Sequence, residues 1–272
     1  MVTARVGLRA LDARAGAAIS IPMATLLFVL AAPFALAPEG FSLQAALIFA
    51  VVGLFFPAVV TLLTFRSNEL LGPTVTSAVS GTAPLFALLA AGLVLGERIP
   101  AQAALAAAGV VVGVGLISWD PRGLRAGFSR RALLWPLLGA AVRGVAQAGA
   151  KAGLALWPNP FAAGLIGYLM SSTAVVGASR IGRAARPAPT RQSVAWFAAT
   201  GILNGGAVLL MYAALSMAPV ATVAPIVAAY PLVTAAISRL LLREESLTPQ
   251  VAAGAAVTVA AIVWLVLARS GA

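Results

Sequence analysis

The sequence predicts an all-α integral membrane protein, and three observations support this fold class. Of the 272 residues, 61% are apolar and only 9% are charged, a balance that a water-soluble domain cannot bury. The apolar residues form runs of about 20 residues, the length that crosses roughly 30 Å of hydrocarbon. Nearly all arginines lie in the short segments between these runs, as in membrane proteins that are oriented by their loop charges. The chain therefore has no room for a separate soluble domain.

The apolar runs define nine predicted spans. They lie at about residues 16–37, 43–64, 73–95, 101–118, 132–155, 161–179, 193–215, 219–241 and 250–268. The first run has a basic start and ends in small residues, as a signal peptide does, but its apolar stretch is longer than the apolar core of a typical signal peptide, and Pro38 would follow the cut. We therefore expect it to remain in the membrane.

Two parts of the chain resemble each other, which indicates an internal repeat. The segment ARVGL at Ala4–Leu8 matches AKAGL at Ala150–Leu154, an offset of 146 residues. Similar offsets align three further pairs: Pro73 with Pro219, Pro84 with Pro231, and Glu97 with Glu245 or its neighbour Glu244. Self-similarity at a nearly constant offset is the signature of a duplicated structural unit.

The second copy contains a span ahead of AKAGL, whereas Met1 falls near the end of the equivalent helix in the first copy. We therefore predict a ten-helix architecture of two five-helix repeats whose first helix is missing, through a misassigned start or a truncation, so that about nine spans are present. The first repeat occupies residues 1–118, a connecting loop 119–131 and the second repeat 132–272. Because five is an odd number, the repeats should be inverted relative to each other, as in transporters whose site lies near the membrane midplane.

The stretch PLFALLAAGLVLGERIPAQAALAAAGVVVGV at Pro84–Val114 joins a proline-containing apolar helix, a Gly-Glu-Arg turn and a glycine-bearing span. Its counterpart PLVTAAISRLLLREESLTPQVAAGAAVTVAAI at Pro231–Ile262 is looser, with Arg243 in place of the expected glycine. This pattern resembles the EamA family of the drug/metabolite transporter superfamily, in two copies that cover nearly the whole chain. The resemblance implies a ten-helix secondary transporter, often an exporter of amino acids or related metabolites, with a central cavity between its halves.

We therefore predict a secondary transporter, in particular an exporter, of small organic metabolites such as amino acids or related anionic compounds, working by alternating access. The alternatives are a non-transporting membrane assembly or receptor protein, and a truncated, inactive transporter. The chain has no cysteine and no histidine, which disfavours an enzyme and the usual metal sites. We expect no cofactor, no metal and no nucleic-acid partner. The expected partners are a small-molecule substrate and the lipid bilayer, and the chain should be a monomer.

The loop charges predict an orientation. Two arginines, Arg98 and Arg269, lie in loops or at span ends on one side, and fourteen lie on the other: Arg5, Arg9, Arg14, Arg66, Arg122, Arg125, Arg130, Arg131, Arg180, Arg183, Arg186, Arg191, Arg239 and Arg243. Because cytoplasmic loops are enriched in basic residues, we predict a bacterial-type inner membrane protein with Met1 in the cytoplasm and the C-terminus outside. The family resemblance implies instead that both termini are cytoplasmic.

Three polar residues lie on one face of the fifth predicted span. Arg143, Gln147 and Lys151 follow one another at intervals of four, so a helix places them one above the other. Arg143 lies near midspan, where an arginine costs about 2.5–3.5 kcal/mol on the insertion scale. No acidic residue lies deep in any predicted span, so a negatively charged substrate group could be its counter-ion. We predict that Arg143 and Gln147 bind substrate; the alternative is that Arg143 bonds to helix-end carbonyls or reaches the interface.

Five further residues are candidates for substrate binding, because each combines a position in a span with a polar group on a larger body. They are Asn204, Tyr168, Tyr212, Tyr230 and Trp196. Helix packing is the alternative role for Asn204, which lies between the small residues of a glycine-rich stretch. Core packing or interfacial anchoring is the alternative for the aromatic residues.

Two prolines and two glutamates are candidates for a hinge or a gate. Pro84 and Pro231 lie inside predicted spans, where a proline removes a backbone hydrogen bond and bends a helix. Glu97 and Glu245 end corresponding spans and would lie at opposite membrane faces. For the glutamates, end-capping and pairing with a neighbouring arginine, Arg98 or Arg243, are the simpler explanation.

Overall fold

The computed structural model describes residues 2–118, 130–180, 189–237 and 249–270, and within these ranges the chain is helical without a strand. The prediction of an all-α protein is confirmed. The α-helices are α1 (Val2–Gly7), α2 (Ala13–Ala35), α3 (Leu43–Phe55), α4 (Ala58–Ser80), α5 (Ala83–Leu95), α6 (Ala101–Ser118), α7 (Leu134–Leu156), α8 (Pro160–Arg180), α9 (Arg191–Met217), α10 (Val220–Val227), α11 (Tyr230–Ile237) and α12 (Pro249–Ser270). A short 3₁₀ helix, Arg130–Leu133, precedes α7.

The helices have the length and surface of membrane spans. Four stretches are long and apolar enough to cross a bilayer: Ala13–Ala35, Leu43–Pro73, Pro160–Ala178 and Arg191–Met217. Shorter apolar helices lie at Ala83–Leu95, Ala101–Leu116 and Ala256–Leu265. Large apolar side chains point outward, among them Leu30 at 65% and Phe34 at 93% exposure. Helices satisfy their own backbone hydrogen bonds, so this apolar surface can face lipid.

Contacts between distant helix termini define one end of the bundle. A carboxylate oxygen of Glu69, in α4, accepts a hydrogen bond from the backbone N–H of Ala13 at the start of α2. Arg5 of α1 donates to the backbone carbonyl of Asn68 at 3.0 Å. The hydroxyl groups of Thr200, in the third turn of α9, and Thr3 are hydrogen-bonded at 2.9 Å. We call this the first end; α2 and α9 both begin there.

The opposite end is defined in the same way. The indole N–H of Trp157, which follows α7, donates to the carbonyl of Glu39 at 3.1 Å. The side-chain amide of Asn159, just before α8, donates to the carbonyl of Ala37 at 2.6 Å. Helix α2 therefore begins at the first end and α8, its counterpart in the alignment of the two halves, begins at the opposite end. The inverted relation of the complete halves stays a prediction.

Three of the predicted spans are interrupted helices, which corrects the expectation of continuous ones. The span predicted at 43–64 is divided by residues 56–57, between the end of α3 and the start of α4. In the span predicted at 73–95, α4 has a left-handed break at Gly72 (φ 78°), resumes at Pro73 and ends at Ser80, and α5 follows after a turn. In the span predicted at 219–241, α10 and α11 are likewise separated by a turn at residues 228–229. The left-handed conformation at residue 72 favours glycine because a Cβ would be strained there.

Small residues let the helices approach closely at several crossings. A Cβ added to Gly113 of α6 would lie 2.7 Å from the carbonyl oxygen of Gly254 and 2.8 Å from the backbone nitrogen of Thr258, both in α12. A Cβ on Gly144 of α7 would lie 2.6 Å from the backbone nitrogen of Ala87 in α5. These distances are shorter than side chains tolerate, so the glycines are required for packing, as is typical of membrane helices.

Candidate functional site

Helix α7 carries the polar face predicted from the sequence and buries much of its surface against other helices. It packs against α3, α4, α5, α9 and α10. Its outer side exposes apolar side chains such as Leu134 and Val145. Its buried positions are mostly glycine and alanine, which brings neighbouring backbones close. The buried side of such a helix can hold polar side chains at membrane depth, because they face protein rather than hydrocarbon.

Arg143 lies near the middle of α7, nine residues or about 14 Å of rise after its first residue. Its guanidinium carbon lies 5.9 Å from the ring centre of Phe56 and 5.8 Å from that of Tyr230. Both contacts are within the range of a cation–π interaction. Its Nε is buried and has no hydrogen-bond partner. Aromatic faces thus surround the cation, but its N–H groups remain available.

Within the part of the chain that the structure describes, no carboxylate pairs with Arg143. The acidic residues in the described ranges are Asp12, Glu39, Glu69 and Glu97, and all four lie in connections or near helix ends. The one ion pair formed within those ranges is Arg66 with Glu69, at 2.9 Å near the first end. The predicted alternative, in which Arg143 bonds to helix-end carbonyls, is also not observed for this side chain.

Lys151, two turns further along the same face of α7, does bond to helix-end carbonyls. Its ammonium group donates to the carbonyl of Leu215 at 2.8 Å and to that of Ala218 at 3.1 Å. Both carbonyls belong to the C-terminal turn of α9, where backbone acceptors have no partner within the helix. A cation at a helix C-terminus also interacts favourably with the helix dipole. Lys151 is therefore a structural cap of α9.

Gln147 lies between these two cations and is 3% exposed. Its side-chain nitrogen donates to the sulfur of Met211, in α9, at 3.6 Å. Its side-chain oxygen is buried and has no hydrogen-bond partner. Arg143 and Gln147 therefore each present one polar atom that the protein leaves unsatisfied, and the two side chains lie one helical turn apart.

Tyr168 and Asn204, predicted separately, form a pair. The Asn204 amide donates to the Tyr168 hydroxyl at 2.9 Å. The Tyr168 ring stacks on Phe28, with 5.2 Å between ring centres, and its backbone carbonyl accepts a hydrogen bond from Thr25 of α2. Tyr212, the third predicted tyrosine, is buried in α9.

Tyr230 connects Arg143 to two interrupted spans, the one formed by α4 and α5 and the one formed by α10 and α11. It is the first residue of α11, so the turn between α10 and α11 places its ring beside Arg143. Its hydroxyl donates to the backbone carbonyl of Ser77, in the resumed part of α4, at 3.4 Å. Of the predicted aromatic residues, Tyr230 is the one in direct contact with the cation.

Trp196 is not brought close to Asn204. It lies in the second turn of α9, eight residues before Asn204, which corresponds to about 12 Å of rise toward the first end. Its backbone carbonyl accepts the hydrogen bond of Thr200, whose hydroxyl also contacts α1. Trp196 was a candidate as an amphipathic aromatic residue in a span, but its position near the start of α9 separates it from Asn204 by more than the size of a small substrate.

The two proline candidates for a hinge, Pro84 and Pro231, lie in the first turns of helices and not inside continuous helices. Pro84 lies in the first turn of α5, where its missing N–H removes no helical hydrogen bond, so it does not bend a continuous helix. Pro231 is the second residue of α11 and has the equivalent position after a turn. Glu245, its alternative Glu244 and their neighbour Arg243 lie outside the described residues.

Glu97 caps a helix of the other half of the chain. Its two carboxylate oxygens accept hydrogen bonds from the backbone N–H groups of Val220 and Ala221, at 3.3 and 3.4 Å. These groups belong to the first turn of α10, whose N–H groups have no partner within the helix. The predicted partner Arg98 is exposed and forms no ion pair with Glu97. A cleft of about 250 Å³ lies beside this contact, lined by residues including Arg98, Gln102 and Thr222.

Sequence reasoning missed two residues that complete the site. Phe56 forms one wall of the Arg143 environment, and it directly follows α3 with a cis peptide bond to Pro57. Met211 is the partner of the Gln147 amide. Neither residue type has a pattern that marks a site, because apolar side chains are abundant throughout the chain. The order Phe-Pro between two apolar runs was the available signal for Phe56.

An apolar helical exterior, an interior cation and two interrupted helices beside it define a helical membrane protein of the kind that includes transporters. The chain belongs to the EamA-like transporter family, whose model matches residues 1–119 and 130–267. It is thus a membrane transporter of the drug/metabolite type, as the sequence predicted.

Comparison with other proteins adds information on the fold. A solved structure titled "Crystal structure of protein" matches with a TM-score of 0.77 and 16% sequence identity, over 98% of this chain and 92% of that chain. At this identity the similarity shows the fold alone. No curated protein matches the sequence at a significant level.

Proposed function

We propose that the protein is a secondary transporter of small organic metabolites that carry an anionic group, such as amino acids or related anionic compounds, and that Arg143 binds the anionic group. The observation that carries the proposal is the environment of Arg143: an interior cation with aromatic walls, no carboxylate partner and an unsatisfied Nε. A charge at membrane depth is costly unless it is paired. A bound anion supplies the pairing at the moment of binding.

The position of Arg143 also suits a transport cycle. Tyr230, at the turn of one interrupted helix, lies against the cation and bonds to a second interrupted helix through Ser77. Interrupted helices at the substrate site are typical of secondary transporters, in which two groups of helices rock around a fixed site. We infer that anion binding at Arg143 is sensed by the segments around Tyr230 and Ser77, which then move during alternating access.

The proposal includes an orientation. Contacts place Arg5 and Arg66 at the first end together with the starts of α2 and α9. Arg98 lies at the opposite end beside the start of α10. Loops rich in arginine favour the cytoplasm, so we propose that the first end is cytoplasmic in a bacterial-type inner membrane and that the C-terminus is outside. A reporter fused after Ala272 that proved to be cytoplasmic would contradict this orientation.

The test is a thermal-stability screen of the purified protein with amino acids, dicarboxylates, nucleosides and phosphorylated metabolites. A ligand that binds only the folded state stabilises it by about 2.7 kcal/mol at a hundredfold excess over Kd. We expect one anionic class to stabilise the wild type, and Arg143→Gln to abolish that effect. Arg143→Lys should retain part of it, because it keeps the charge but loses the planar donor geometry.

The matched control is Arg98→Gln, which removes one exposed arginine at the opposite end and should leave ligand stabilisation unchanged. Stabilisation that survives Arg143→Gln would contradict the proposed site. A ligand that binds but shows no counterflow in proteoliposomes would favour the alternative of a receptor that does not transport.

A further inference from the structure

We propose that Gln147 selects among the anions that Arg143 holds, by accepting a hydrogen bond from a donor group of the ligand. The inference rests on the proposed function and adds a specificity residue and a ligand class to the same site. The class consists of small acids that carry an ammonium or hydroxyl donor near the anionic group.

The first argument is the state of the Gln147 side chain. It is 3% exposed, and its oxygen has no hydrogen-bond partner. The great majority of buried polar side-chain atoms in proteins are satisfied, and each unsatisfied one costs about 1–3 kcal/mol. Such a cost is tolerated where the missing partner is a ligand.

The second argument fixes which atom of the amide is available. The other amide atom contacts the sulfur of Met211 at 3.6 Å. A thioether sulfur can accept a hydrogen bond but cannot donate one, so the NH₂ group must face the sulfur. The carbonyl oxygen therefore points away from Met211, and the group that Gln147 offers is an acceptor.

The third argument is the position of the two unsatisfied atoms. Arg143 and Gln147 are four residues apart in α7, on one face and separated by about 6 Å of rise. The next polar residue on that face, Lys151, is satisfied by two carbonyls of α9. The buried, unsatisfied atoms on this face are thus one donor, the Arg143 Nε, and one acceptor, the Gln147 oxygen.

A ligand that satisfies both atoms must be an anion with a hydrogen-bond donor within about one helical turn of it. A 2-amino or 2-hydroxy carboxylate has this arrangement, and the corresponding unsubstituted acid does not. A plain carboxylate would occupy Arg143 but leave the Gln147 oxygen buried without a partner. Sites built to bond a ligand donor discriminate strongly against analogues that lack it for this reason.

The test compares acids that differ only at carbon 2: propionate, lactate and alanine, and succinate, malate and aspartate. Affinities are measured on the purified full chain by ligand-dependent thermal stability. We expect the wild type to bind the hydroxy or amino member of at least one set about tenfold or more tightly than the unsubstituted acid. Gln147→Leu should reduce that ratio to within about twofold, and Arg143→Gln should weaken binding of the whole set.

Two further variants keep the test sharp. Gln147→Met is a second acceptor-free variant of similar length, for use if the leucine variant does not fold. Gln102→Leu is the matched control, because Gln102 is an exposed glutamine in α6 at the opposite end and its loss should leave the ratio unchanged.

The outcomes separate the two proposals. If both acceptor-free variants keep the wild-type ratio of affinities for substituted and unsubstituted acids, the proposed role of Gln147 is wrong. It is also wrong if the wild type binds substituted and unsubstituted acids equally well through Arg143. Binding that is insensitive to Arg143→Gln overturns the proposed function instead. Failure of every acid in both sets to bind the wild type overturns the proposed ligand class.

Discussion

Replacing Lys151 tests whether the polar face of α7 divides into a structural part and a binding part. The ammonium group of Lys151 donates to two carbonyls at the end of α9, at 2.8 and 3.1 Å. Lys151→Met keeps the apolar part of the side chain and removes both hydrogen bonds. A hydrogen bond to a charged group contributes about 1.5–3 kcal/mol. Because the lysine is only partly buried, we expect a total loss of about 2 kcal/mol, below the sum for two fully buried bonds.

The assay is thermal unfolding of the purified protein followed by tryptophan fluorescence. A loss of about 2 kcal/mol corresponds to a Tm lower by roughly 5 °C in a chain of this size. Lys151→Arg should recover most of the difference, because it retains a cationic donor. The rise in Tm that a ligand causes, measured from the Tm of each variant without ligand, should be the same as in the wild type.

Two results would refute this reasoning. An unchanged Tm for Lys151→Met would mean that the contacts with Leu215 and Ala218 contribute nothing to the folded state. A normal Tm with a selective loss of anion binding would assign Lys151 to the ligand, and the boundary that we place between Gln147 and Lys151 would be wrong.

Three other predictions concern the framework of the site. Tyr168→Phe and Asn204→Leu, combined in a double-mutant cycle, should show a coupling of about 1 kcal/mol from their shared hydrogen bond; additive losses of stability would show that the bond is not formed in the membrane. Glu97→Ala should lower the free energy of unfolding by about 0.5–1 kcal/mol, because α10 loses the carboxylate that caps it at 3.3 and 3.4 Å. Equal thermal stability of wild type and variant would contradict that contact. Gly113→Ala should destabilise the packing of α6 on α12 by about 1–3 kcal/mol. The control Gly115→Ala should be neutral or stabilising, because nothing lies within 4 Å of its added Cβ. Equal melting temperatures for the two variants would contradict the close approach of α12.

The general architecture was predictable because membrane spans depend on local composition. Runs of apolar residues located most of the helical segments, although α4 crosses the predicted loop at 65–72. The spacing of four placed Arg143, Gln147 and Lys151 on one face of a helix. The midspan position of Arg143 and the absence of acidic residues in the spans also followed from counting along the sequence. Family membership followed from the two proline-containing helices and the turns after them.

The interruptions in the helices could not be predicted from the pattern of apolar residues. A proline inside an apolar run fits a bent continuous helix and equally the first turn of a new helix. The choice at Pro84 depends on turns at neighbouring residues that make α5 start afresh. Hydrophobic patterns carry no information on this choice, because both arrangements bury the same residues.

Partners of the polar side chains depend on how helices meet, which the sequence does not reveal. Glu97 has an adjacent arginine, yet it bonds to the start of α10, more than a hundred residues away. Tyr168 and Asn204 were separate candidates, and the crossing of α8 and α9 makes them a pair. Trp196 shared a helix with other candidates but lies too far along it to join them.

Substrate counterflow is the measurement that tests the central claim most directly. Proteoliposomes would be preloaded with the acid that gives the largest thermal stabilisation, and the uptake of the same radiolabelled acid would be recorded for wild type, Arg143→Gln and Arg98→Gln. The account predicts rapid counterflow for the wild type and for Arg98→Gln, and a loss of at least tenfold for Arg143→Gln at equal amounts of folded protein. Counterflow by Arg143→Gln at the wild-type rate and affinity would contradict the claim that Arg143 holds the anionic group.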